Sequence, residues 1–130
     1  MIRRVVISSA ISHASAIVLF AGGLACLFAP DIVASSLGLS VPANALWVGQ
    51  LLGAAWLGLG ALNWVQRRGI LGGAYGRPVV LANLFHYFIG ATVVLKSAQQ
   101  GVAAAWLIVV PFAIFALAYG ALLFRGPFDK

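Results

Sequence analysis

Four apolar runs, each about as long as a bilayer is thick, take up nearly all of this 130-residue chain. About 20 consecutive apolar residues span the hydrocarbon core as a helix. Such runs lie at roughly 5–28, 43–65, 78–95 and 102–124, and short connections consume the rest. Hydrophobic residues make up 63% of the chain and charged residues 8%, where a soluble domain carries about 25% charged residues. Polar surface is too scarce to face water. The expectation is an all-α integral membrane four-helix bundle of up-down-up-down topology, forming a single transmembrane domain over 1–130.

Turn chemistry separates the runs. Pro30-Asp31 closes the first, because Pro interrupts a helix and Asp is costly in hydrocarbon. Asp31 is placed to cap a short interfacial helix, Ile32 to Leu37, which Gly38 would stop. Pro42 and Pro78 are pre-set for the first turns of the second and third spans. A compact basic turn is expected from Gln66 to Arg77, and a third loop from Ser97 to Gly101. Pro111 predicts a kink in the fourth span. The N-terminal run is too long for a signal-peptide core and reads as a first span.

A net charge of +6 raises nucleic acid as a partner, but the basic residues sit at the ends of apolar runs rather than on one polar face. No nucleic-acid role is expected. With four spans, Arg3, Arg4, Arg67, Arg68, Arg77, Arg125 and Lys130 share one side and Lys96 stands alone on the other. The positive-inside rule puts the first group, and with it both termini, in the cytoplasm. Trp47 and Trp106 fall near the outer interface and Trp64 near the inner one.

Within the second span Gly49, Gly53, Trp56, Gly60, Asn63 and Arg67 recur at helical spacing. Gly49-x-x-x-Gly53 is a small-residue contact motif, so Gly49, Gly53 and Gly60 are expected to pack helices, within one chain or between copies.

Polar groups inside hydrocarbon are expensive, so their placement carries information. Ser9, Ser12 and His13 share a face with Ala16, and Asn83, His86 and Tyr87 share one with Gly90. Asn63 and Tyr119 lie toward the arginine-bearing ends of their spans. His13 follows Arg4 by nine residues and His86 follows Arg77 by nine, which sets both imidazoles about 13 Å along their helices from those arginines. Asn63, Asn83 and Tyr119 come out about 6 to 9 Å in by the same arithmetic. A cytoplasmic-side polar cluster is expected, with Arg67 and Arg77 at its rim.

Three readings of that cluster compete. The first is interhelical glue. The second is a pocket for an amphiphile, a lipid or a quinone, with its head among Ser9, Ser12, His13, Asn63, Asn83, His86, Tyr87 and Tyr119. The third is a haem b held by His13 and His86 as axial ligands. Most chemistry is excluded. Asp31 and Asp129 fall on opposite sides of the membrane, so paired-carboxylate catalysis has no basis. Cys26 is the single cysteine, which rules out dithiol chemistry within one chain. A Ser-His dyad would lack an acidic residue to orient the imidazole. No His/Cys cluster has zinc-ligand spacing.

The stretches Leu27-Phe28-Ala29-Pro30-Asp31, Leu37-Gly38-Leu39 and Gly49-Gln50-Leu51-Leu52-Gly53-Ala54-Ala55-Trp56-Leu57-Gly58-Leu59-Gly60 resemble the first half of small bacterial four-span proteins of the DoxX-like group. The likeness covers roughly Phe20 to Trp64. It implies a bacterial inner membrane location and suggests a link to quinone-dependent respiratory oxidation, with no catalytic residues carried over. The sequence thus leads to a non-enzymatic membrane protein that binds a lipid or quinone-like amphiphile or serves as an accessory subunit of a larger membrane complex. A haem-binding electron-transfer protein is one alternative. A small homo-oligomeric transporter or channel, with Gly49 and Gly53 at subunit contacts, is another.

Overall fold

The computed structural model describes residues 2–69 and 76–125. The stretch 70–75, the middle of the expected basic turn, and the tail at 126–130, with Asp129 and Lys130, lie outside the described residues. All regular structure among the described residues is helical: α1 (Ile2–Phe28), α2 (Pro30–Ser36), α3 (Leu46–Gln66), α4 (Arg77–Gln99) and α5 (Trp106–Arg125). Single 3-10 turns, Ala43–Ala45 and Ala103–Ala105, lead into α3 and α5. Four stretches, Val6–Phe28, Ala43–Gln66, Arg77–Gln99 and Ala103–Arg125, are long and apolar enough to cross a membrane.

Helix ends follow local chemistry. Gly38 takes φ 70°, and the Leu39 N–H reaches back to the Ala34 carbonyl at 2.9 Å, closing α2. Gly101 does the same for α4 at φ 98°, with Val102 N–H on the Ser97 carbonyl. Only glycine adopts this left-handed geometry without strain. Asp31 does not cap α2: Ala29 occupies that position, Pro30 begins the helix, and Asp31 sits in its first turn. There its charge still faces the positive end of the helix. α4 runs past the expected end at Leu95 to Gln99, because Ala98 is buried against Ala105 and Val109. α5 continues unbroken through Pro111.

The helices associate as two antiparallel pairs, α1 with α3 and α4 with α5. Glycine sets the first crossing. A Cβ on Gly53 would stand 2.6 Å from the Gly23 carbonyl oxygen and 2.9 Å from the Leu27 nitrogen, so backbone lies against backbone. Gly60 packs on Leu19 and Phe20, and Gly49 on Pro30. All three stripe glycines therefore face this chain's own α1–Pro30 segment, Gly53 and Gly60 buried and Gly49 partly buried. In lipid, close approach of this kind replaces the hydrophobic drive between helices.

Trp56 joins the two pairs. Its indole covers Gly22 of α1, meets His86 of α4 edge-on at 5.6 Å, and leans on Phe112 of α5 at 5.4 Å. Gly90 leaves room for Phe112, whose ring a Cβ there would strike at 2.7 Å. Leu19, Val80, Tyr87, Phe112 and Tyr119 form the central core. The outward faces carry Ile17, Leu51, Val65, Phe85, Val93, Leu107 and Leu117, all exposed. An exterior this apolar matches hydrocarbon rather than water.

Candidate functional site

The polar residues sort into three groups with different fates. In the first, Asn63 of α3 and Asn83 of α4 exchange hydrogen bonds, each amide N–H donating to the other's oxygen at 2.7 Å. The second N–H of Asn63 goes to Ser15 Oγ at 2.8 Å, and that of Asn83 to the Val79 carbonyl at 2.9 Å. Ser15 Oγ and Tyr87 Oη share a further bond at 2.5 Å. Every N–H of both amides is thus used inside the bundle, and Asn63, Asn83 and Ser15 are fully buried. The node ties α1, α3 and α4 together, as interhelical glue does.

Ser12 Oγ and Tyr119 Oη extend this node but have no hydrogen-bond partner among the described residues, although both residues are fully buried. Tyr119 stacks on Tyr87 at 5.9 Å. The face of α1 turned inward is Ser8, Ser12 and Ser15 with Ala16 and Leu19. Ser9 and His13 sit on its flank, partly buried. Reading the face from its histidine misses Ser8 and Ser15, which follow the helical period from Ser12 equally well.

His13 forms the second group, near Arg67. Its ring meets Trp64 edge-on at 5.5 Å, and its Nδ1 lies 2.8 Å from the Ser9 carbonyl. A carbonyl oxygen only accepts, so Nδ1 carries the hydrogen and cannot serve as a base toward Ser9 Oγ, 3.3 Å away. Arg67 stacks on the same indole, its Cζ 4.2 Å from the ring centroid. Arg77 opens α4 at this end of the bundle and is exposed.

His13 packs on Trp64 and His86 on Trp56, eight residues apart on α3. Ser15, eleven residues beyond Arg4, meets Asn83 and Tyr87, six and ten residues beyond Arg77, so counting from the arginines misses the register of α1 and α4 by one to five residues. The two imidazoles lie against different rings.

His86 belongs to the third group, a groove. Trp56, Tyr87 and Phe112 surround its ring at 5.1–5.6 Å, and its Nε2 is buried without a partner among the described residues. His86, Trp56, Phe112 and Ile89 line an apolar groove of about 490 Å³ that opens between the α1–α3 and α4–α5 pairs. A second groove of about 490 Å³, under α2 and along the start of α3, adjoins it through Cys26, Val33, Leu37 and Leu52. α2 roofs the junction, since Leu37 also packs on the cluster of Ala98, Ala105 and Val109. These volumes fall in the range that small-molecule sites occupy. Sequence reading marked His86 but not the groove, because Cys26, Leu52 and Ile89 are indistinguishable from lipid-facing residues until the helix pairs are seen to diverge. No family model, curated protein or solved structure matches this chain.

Proposed function

We propose that this chain is a small non-enzymatic multi-pass membrane protein that holds an amphiphile in the groove between its two helix pairs. The observation that carries the reading is His86 Nε2, a buried polar atom without a partner among the described residues, on a histidine that lines an otherwise apolar groove. Leaving such a group unpaired costs about 1–3 kcal/mol, which a ligand oxygen bonded to it would recover. The Trp56 and Phe112 rings beside it favour a flat or ring-shaped head, as a quinone presents, and the groove under α2 accommodates an apolar tail. The charge bias supports a cytoplasmic side for the arginine-bearing ends, which sets this groove toward the opposite leaflet of the cytoplasmic membrane.

Mass spectrometry of solvent extracts from the purified protein tests the reading. One amphiphile should be enriched over bulk lipid, and Ile89→Trp, which fills the groove, should lose it. Equal lipid content in both proteins, matching the bulk membrane, removes the proposal.

A further inference from the structure

We propose that Arg67, Trp64 and His13 form a second, separate site, which binds the phosphodiester headgroup of an anionic lipid at the arginine-bearing end of the bundle. Arg67 follows the last residue of α3, and its guanidinium donates to the Trp64 carbonyl. That contact caps the helix, as basic residues at C-termini do. It uses one of five N–H donors. The Arg67 Cζ also lies 4.2 Å from the Trp64 ring centroid, so two contacts hold the group, and the remaining donors of the planar guanidinium form a fork that fits phosphate.

A cap alone does not bring a histidine from another helix onto the same indole. His13 of α1 meets Trp64 at 5.5 Å and 77°. Its Nδ1–H is committed to the Ser9 carbonyl, which leaves Nε2 as the ring nitrogen available to accept. Trp64 is 42% exposed and Val65 beside it 72%, so the indole that carries both groups faces outward. One exposed ring therefore presents a cation with donors beyond its helix cap and, beside it, a hydrogen-bond acceptor. The matching ligand is a phosphodiester with an O–H beyond the phosphate. Phosphatidylglycerol has both features, and its charge suits a chain of net charge +6. Phosphatidylcholine has the phosphate but no O–H or N–H for His13.

The test is native mass spectrometry of the full chain in detergent, titrated with phosphatidylglycerol, phosphatidylcholine or glycerol phosphate. Phosphatidylglycerol should bind at least tenfold more tightly than phosphatidylcholine. Arg67→Ala should abolish that preference, and His13→Ala should reduce it several-fold. Arg67→Lys keeps the charge and the helix end, controls for folding, and should retain part of the preference. Arg125→Ala, at the end of α5, should change nothing. Three outcomes overturn the proposal: equal losses in Arg67→Ala and Arg125→Ala, no preference between the lipids, or displacement by equimolar glycerol phosphate, which assigns the site to a free anion. The groove variant Ile89→Trp should bind phosphatidylglycerol normally, so this site stands or falls independently of the groove.

Discussion

Asn63 and Asn83 clasp each other through two hydrogen bonds of 2.7 Å, amide to amide, in the centre of the bundle. Truncating one leaves the other with an unpaired buried donor and acceptor, which is costlier than removing both. Asn63→Leu and Asn83→Leu should each destabilise the protein by about 1–2 kcal/mol. The double variant should lose less than the sum, with a coupling of about 1 kcal/mol, within what membrane helices show. Denaturant titration in mixed micelles, followed by circular dichroism, measures the cycle. Strict additivity would mean that the amide pair does not form.

Gly53 and Gly58 lie on the same helix but make opposite predictions. Gly53 has the α1 backbone against it, whereas a Cβ on Gly58 meets nothing within 4 Å. Gly53→Ala should push α1 and α3 apart at a cost of about 1–3 kcal/mol. Gly58→Ala should be neutral or stabilise by up to about 1 kcal/mol through helix propensity. Thermal unfolding of the two variants side by side checks this, and a Gly53→Ala protein as stable as Gly58→Ala would refute the crossing.

The helices were legible in the sequence because length and apolarity decide them almost alone. Their mutual register was not. Counting from Arg4 and Arg77 assumed that flanking charges set depth, whereas the Gly23–Gly53 crossing and the Ser15–Asn63–Asn83 bonds set it here. Asn63, Asn83 and Tyr87 stand out as polar residues in apolar runs, and the structure brings them together. Ser15 is missed because a serine on a helix carries little signal by itself. The groove is invisible in the sequence for another reason: it arises from the divergence of two helix pairs, which no local pattern records.

Arg68, just past the end of α3, and Ser40, in the connection that leads into its start, are both exposed, which makes them reporters of orientation. With Cys26→Ser removing the single native cysteine, Arg68→Cys should resist a membrane-impermeant maleimide in intact cells and react after permeabilisation. Ser40→Cys should react in both. The expectation rests on seven basic residues at one end against Lys96 at the other. The reverse labelling pattern would invert the orientation and move the groove to the cytoplasmic leaflet.

His86 separates stability from binding. In a protein stripped of amphiphile its Nε2 is buried and unpartnered, so His86→Leu removes a desolvation cost and keeps an apolar side chain on the groove wall. The stripped variant should be more stable than stripped wild type by about 1 kcal/mol. The same substitution removes the polar contact that His86 offers a ligand head, so the enriched amphiphile should disappear from extracts of the variant. Added amphiphile should then raise the melting temperature of wild type and leave the variant unmoved, as mass-action stabilisation requires. A structural histidine gives the opposite pattern. Its loss would lower the stability of stripped protein, and the amphiphile response would be the same in both chains.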